Sequence, residues 1–424
     1  MTVENNRNWA GNFKYNASEV HAPETVEQVQ ALVASSKRIK VLGTRHSFNS
    51  IADTNGCHLS LQKLNRVVEL DRTNNRVTVE AGIRYGELCH YLHSNGYALH
   101  NLASLPHISV GGAVATATHG SGDLNGNLAT AVYSLEVVKA DGETIVLARD
   151  QADGVFAGAV VGLGGLGVVT TITLDVVPSF NMSQVIYENL PLAQLENHFD
   201  AIFSSAYSVS LFTDWKSPSF NQLWMKMKLP DAAAATLAEP EFYGAKLAKS
   251  HLHPVPGASP VNCSEQMGIA GPWYERLPHF RMDFTPSAGE ELQSEYFVPR
   301  KDAYLALCAI NRLRDQISPY LHVSEIRTIA ADSLWLSPCY KGEMVAIHFT
   351  WKDNWEAVQQ LLPIIEEQLK PFHARPHWGK LFTMSPAELQ SHYEKLPDFQ
   401  QLLRSYDPEG KFRNDYITKY ILGT

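Results

Sequence analysis

The sequence predicts a protein of two α+β domains, on three observations. Its 424 residues exceed what one hydrophobic core of usual size organises. Helical stripes and strand patterns mix along the chain up to Pro178. Beyond Pro178 the pattern shifts to strands, a proline-rich stretch and two further helices. The expected division is 1–179, 180–370 and a C-terminal segment 371–424.

Glu24 to Lys37 carries Val26, Val29, Leu32 and Val33 at helical spacing after Pro23 and leads into a strand from Ile39 to Gly43. Arg66 to Asp71 and Arg76 to Gly82, around Thr73-Asn74-Asn75, read as a hairpin. Tyr85 to Asn95 is a short helix stopped by Gly96. Tyr133 to Lys139 and Thr144 to Leu147 form a second hairpin through Asp141-Gly142. Gly167 to Val177 closes this unit. In the second, Ser208 to Trp215 and Gln222 to Lys228 are strands, and Pro230 to Gly289 is irregular. A helix from Lys301 to Ser318, strands Leu321 to Ala330 and Met344 to Trp351, and a helix from Trp355 to Leu369 follow.

Hydrophobic residues at 45% and charged residues at 19% fit a soluble globular enzyme rather than a disordered chain. A net charge of −9 without a long basic run argues against a nucleic-acid partner. Five scattered cysteines with no C-x-x-C pair suit reduced thiols and not a disulfide frame or zinc site. The opening MTVENNRNWAG lacks a signal-peptide layout, so the cytoplasm is the expected compartment.

Two stretches mislead. Val155 to Leu174 is uncharged and long enough to span a bilayer, but its five glycines and the ending VVTTITL read as a turn feeding a buried strand. Within it, Gly162-Leu-Gly164-Gly-Leu-Gly167 spells G-x-G-x-x-G, yet it precedes a strand instead of opening a helix, and an acid follows too soon at Asp175. No nicotinamide site is expected there. His251 and His253 lack further ligands at metal spacing, and Met225 and Met227 read as packing residues, so no metal is expected.

The informative stretch is KVLGTRHS, Lys40 to Ser47: an apolar strand broken by Gly43 and Thr44 that delivers Arg45, His46 and Ser47 into a loop. It is followed by HNLASLPHISVGGAVATATHGSG, His100 to Gly122, in which nothing between Ser109 and Thr118 is larger than valine. A bulky cofactor can lie against bare backbone there. Together these stretches resemble the vanillyl-alcohol-oxidase-type FAD-binding family, and within it the alditol (xylitol) oxidases, with a match running from Asn8 to the C-terminus.

The resemblance implies a PCMH-type FAD-binding domain, an α+β substrate or cap domain, and a tail returning to the FAD domain. It places FAD contacts at Val41, Leu42, Gly43, Thr44, Arg45, His46, Ser47, Ala103, Ser104, Ser109, Gly112, Thr116, Ala117, Thr118, His119 and Val169. It makes His46 the residue joined covalently to the flavin 8α-carbon, a role that asks for a neutral imidazole. Arg45 departs from the glycine that many relatives carry before that histidine. Ala103 falls by the flavin face, where small residues bear on oxygen access.

Strand alternation adds a second wall. Leu321, Val323, Glu325, Arg327 and Ile329 are expected on one face, an acid and a base amid apolar neighbours. Val345, Ile347, Phe349 and Trp351 make an apolar face, leaving His348 and Thr350 on the other. By the resemblance, Ser104, Glu325, Arg327, His348, Thr350 and Lys380 bind a polyol, with His377 close by. Lys380, Arg327 and His348 then carry catalysis, oxidising the C1 hydroxyl to an aldose with molecular oxygen reduced to hydrogen peroxide. Lys380 and His348 both qualify by type to take the proton. An aldonolactone oxidase or dehydrogenase, or a sugar-binding protein without flavin, are the alternatives. The expected partners are polyol and oxygen, with no nucleic acid, no membrane and a monomeric state.

Overall fold

Thr25 starts the first helix by accepting a hydrogen bond from Gln28 N, and Val29 and Val33 bury its inner stripe. That helix crosses from strand β1 (Glu19–His21) to β2 (Ile39–Leu42), and both pair in parallel with β3 (Cys57–Ser60). The computed structural model describes residues 6–151, 154–230, 238–282 and 291–423. Residues 231–237 and 283–289 of the proline-rich stretch lie outside them.

A five-stranded antiparallel sheet stands beside the parallel one. Its strands β4 (Val67–Asp71), β5 (Arg76–Glu80), β6 (Val132–Val138), β7 (Thr144–Ala148) and β8 (Val168–Asp175) run in the order β4-β5-β8-β6-β7. The glycine-rich stretch before β8 is a short helix, Val155–Ala159, and a turn with Leu163, Gly164 and Gly167 at positive φ. It opens no nucleotide-binding helix. Among the described residues no helix is long and apolar enough to cross a membrane.

A second sheet is antiparallel throughout. Strands β9 (Asn181–Pro191), β10 (Ser208–Thr213), β11 (Ser219–Lys228), β12 (Glu291–Pro299), β13 (Leu321–Ile329) and β14 (Met344–Lys352) run β9-β11-β10-β13-β14-β12. Helices cover one face: Val345, Ile347, Phe349 and Trp351 pack in one core with Leu307, Ile310, Leu362 and Ile365. Part of the other face packs again, Ile186, Phe212 and Trp224 with Ala248 and Cys263, and the part on β12, β13 and β14 borders a cavity.

The tail returns to the first core, where Trp378, Leu389, Phe399, Phe412 and Ile417 pack with Val29, Leu88 and Val168. It is also tied to the second sheet, since His377 N donates to Glu295 O and Leu381 N to Gln293 O.

Candidate active site

A cavity of about 1120 Å³ lies between the small-residue run and the open face of β12, β13 and β14. Its first wall is mostly backbone. A Cβ on Gly43 would stand 2.9 Å from Ser109 Oγ, and one on Gly112 3.0 Å from the same atom. Ser109 Oγ is buried without a protein hydrogen bond, so a hydroxyl lacking a partner sits between two bare α-carbons. An orphan donor in a glycine cradle suits the pyrophosphate of FAD, which accepts hydrogen bonds and needs close backbone approach.

His46 leaves this wall at the rim. Its ring stacks on Trp9 at 5.2 Å and its Nδ1 lies 3.0 Å from Thr44 Oγ1. Burial, helped by His107, pushes its pKa down to about 4, so the ring is neutral at ordinary pH. The N-terminal segment locks the loop from outside: Trp9 N donates to Arg45 O, and Asn8 Nδ2 to Ser47 O. Arg45 itself has φ 65°, the left-handed region that glycine fills without strain. Arginine at this position therefore carries a backbone cost that glycine would not.

The second wall is built of ionisable side chains set by strand register. Glu295, His348 and Glu325 lie opposite one another across β12, β14 and β13, with Gln293, Thr350 and Val323 in the next row on that face. Arg327 Nη2 donates to Glu295 Oε1 at 2.5 Å, and its Nε lies 3.6 Å from Glu325 Oε2. Lys380 Nζ stands 3.2 Å from Glu295 Oε2, and His119 Nε2 3.2 Å from Oε1. Asn49 Nδ2 donates to the carbonyls of Trp378 and Lys380, so the loop after His46 also holds Lys380.

Burial by itself raises the Glu295 carboxyl, but Lys380, Arg327 and His119 together outweigh it and hold it well below the usual carboxylate range. Glu325 is likewise raised by burial and lowered further by Arg327 and His279. Burial, with Lys380 adding to it, keeps the His348 ring neutral. Burial also draws the Lys380 ammonium down from its normal value, against the pull of Glu295.

Every site residue expected from the sequence lines this cavity except Ala117. Ala117 adopts φ 54° and buries its methyl in the first core, which leaves its backbone as the part that can meet a cofactor. Leu321 is corrected. A register shift between Leu321 and Val323 turns it to the helix-covered face, while Val323, Glu325 and Arg327 keep the cavity side. The expected Lys301 to Ser318 helix is broken into Ala303–Asn311 and Arg314–Ile317. His251, on the expected exposed loop, meets Glu265 at 3.1 Å, and His253 of the same loop lines the cavity.

Three residues escape sequence reasoning. Glu295 lies on β12, whose alternation in Glu291–Pro299 was available as a signal but follows a proline- and glycine-rich run. His279 Nε2 meets Glu325 Oε1 at 2.7 Å, and Lys226 Nζ sits 3.2 Å from its Nδ1. The ionised Glu325 carboxylate only accepts, so Nε2 of the neutral His279 ring carries the hydrogen and Nδ1 accepts from Lys226. Lys40, buried in the first core, donates to the carbonyls of Leu163, Gly164 and Phe412, clasping the glycine turn and the tail together.

Residues 17–148 match the family model described as FAD binding domain, and residues 288–420 the one described as D-arabinono-1,4-lactone oxidase. The chain is 47% identical over 419 residues to an alditol oxidase of Streptomyces sp. (strain IKD472 / FERM P-14339), covering 98% of this chain and 99% of that one. It is 27% identical to the L-gulonolactone oxidase of Mus musculus, over 97% of each chain. Among solved structures, a solvent-stable cholesterol oxidase superposes with a TM-score of 0.78 at 16% identity, over 97% of this chain and 96% of the other. Glucooligosaccharide oxidase from Acremonium strictum, described with 6-S-cysteinyl, 8α-N1-histidyl FAD, gives 0.75 at 15% identity, over 98% and 94%.

Proposed function

We infer the reaction from one premise: the chain belongs to the alditol oxidase family of the vanillyl-alcohol-oxidase-type flavoproteins. The protein is an FAD-dependent oxidase that converts the C1 hydroxyl of xylitol, sorbitol and similar polyols to the aldose. FAD, when bound, supplies the two-electron chemistry, taking a hydride from C1 and passing both electrons to oxygen to give hydrogen peroxide.

The chain's own residues do the rest. Residues 41–47, Ser109, Gly112 and the 116–119 turn hold the cofactor, and His46 carries it covalently. Ser104, Glu325, His348 and Thr350 match the hydroxyls of the substrate with donors and acceptors, with His377 beside them. A site of buried polar groups rejects molecules that leave those groups unpaired. Arg327 and Lys380 present positive charge to the carbinol oxygen and favour its alkoxide character. Lys380 and His348 are the two candidate acceptors of the hydroxyl proton.

The observation that carries this reading is the row of Glu325, His348 and Glu295 with Arg327 and Lys380 facing one cavity, in a chain 47% identical to an alditol oxidase. Peroxide production from xylitol and from a sugar lactone tests it, and faster turnover of the lactone overturns it. The lactone reading is favoured only by the match of residues 288–420 and by more distant relatives. Covalent attachment is tested by acid precipitation, which should leave the yellow colour in the pellet.

The same reading divides the chain into 1–179, 180–370 and the returning tail 371–424. Unpaired thiols at all five cysteines support a reducing, cytoplasmic compartment. A single peak at monomer mass in light scattering is the expected oligomeric result.

A further inference from the structure

Glu295 is 1% exposed and belongs to none of the roles assigned above. Its two carboxylate oxygens gather groups from three separate parts of the chain. Arg327 comes from β13, Lys380 from the tail and His119 from the end of the small-residue run. Its carbonyl accepts from His377 N, so the same residue also anchors the backbone turn that presents Lys380.

We propose that Glu295 is the positioning residue of this site: it fixes Arg327 and Lys380 side by side at the carbinol oxygen and keeps Lys380 an ammonium. The proposal deepens the polyol-oxidase reading and rests on it. Two cations confined in a dry cavity repel strongly. The carboxylate offsets that repulsion and sets their spacing at once, because each oxygen is committed to one of them. Glu325 holds the other side of the guanidinium, 3.6 Å from Nε. The groups acting on Lys380 are Glu295 and Glu291 from β12, Arg327 and Glu325 from β13, His348 from β14 and His377 from its own turn. Glu295 is the carboxylate in ion-pair contact with Nζ.

A lysine that stays charged cannot take a proton. Of the two candidate acceptors this leaves His348: the carbinol proton would go to its neutral ring, the O–H electron pair would form the second C–O bond, and FAD, when bound, would supply the acceptor for the hydride from C1.

The test uses the flavin-loaded enzyme and the variants Glu295→Gln and Glu295→Asp. Glu295→Gln should keep its flavin while the rate of flavin reduction by xylitol falls about 100-fold, the usual consequence of misplacing a reacting group. The alkaline limb of that rate should move to lower pH by about one unit, because the ammonium has lost its counter-charge. Glu295→Asp should recover at least part of the rate and return the limb toward the parent's. An unmoved alkaline limb, or a Glu295→Gln rate within threefold of the parent, overturns the proposal.

A readout without substrate separates this from failure of the polyol reading. Glu295→Gln should lower the melting temperature, and adding Lys380→Met should restore part of the loss by removing the uncompensated cation. Strictly additive losses overturn the proposal even if xylitol proves inert. Should Glu295→Gln fail to fold alone, the double variant with Lys380→Met decides the matter: recovery of folded protein supports the proposal, and no recovery overturns it.

Discussion

The two walls of the cavity are built on opposite terms. Around Ser109 the surface is backbone, glycine and neutral hydroxyl, and what it offers a ligand is room and unspent hydrogen bonds. Across the gap, Glu295, Glu325, Arg327 and Lys380 are nearly dry charges held by one another. The first wall is sensitive to volume and the second to charge. A single substitution should therefore separate cofactor retention from turnover, depending on the side it falls.

Lys380→Ala should sharpen that contrast most: kcat falls by about 10²–10³ while the flavin spectrum per polypeptide stays the same. A loss of no more than tenfold removes Lys380 from the reaction. On the opposite wall, Gly43→Val should push side-chain atoms into Ser109 and yield protein with little flavin, read as the ratio of absorbance at 450 nm to that at 280 nm ~ the usual flavin and protein bands. Full flavin content in that variant would break the distinction. His46→Ala should release all colour to the supernatant on acid precipitation, although the slot still binds FAD without the bond.

Acid should weaken both walls through their buried histidines. Burial brings His46 and His279 to about 4 and His377 to about 3. Their folded values lie below the unfolded one, so the stability they contribute is complete above about pH 6.5 and is lost as pH falls toward those values. For His279 and His377 the loss is about 2 kcal/mol each by pH 5. Urea midpoints at pH 7.5, 6 and 5 measure it, and a midpoint flat across that range excludes the effect. The smallest change belongs to Arg45→Gly, which relieves a left-handed backbone and should add about 0.5–1 kcal/mol with flavin content unchanged, read as a rise in melting temperature.

The walls also differ in how far the sequence reveals them. The slot is local: Gly43 to Ser47 and Ser109 to Thr118 are short runs whose residue sizes state their purpose. Ala117 is the one residue of the expected set whose side chain turns into the first core, at a left-handed turn that no periodicity records. On the charged wall, alternation placed Glu325, Arg327, His348 and Thr350 correctly on the cavity face, but it failed at Leu321, where the register shifts. Glu295, although it sits on an alternating strand, and His279 went unassigned for a different reason. Their meaning lies in pairings over 32 and 46 residues of chain, and local pattern carries no information about partners that distant.

Lys380 reaches its place only through the tail, with Asn49 gripping its carbonyl and Gln293 accepting from Leu381 N. The first core needs that same stretch: Lys40 donates to Phe412 O, Ile39 N to Lys411 O, and Phe399 and Ile417 pack with Val168. On the polyol-oxidase reading, the flavin slot and the lysine are therefore completed together, when the last stretch docks.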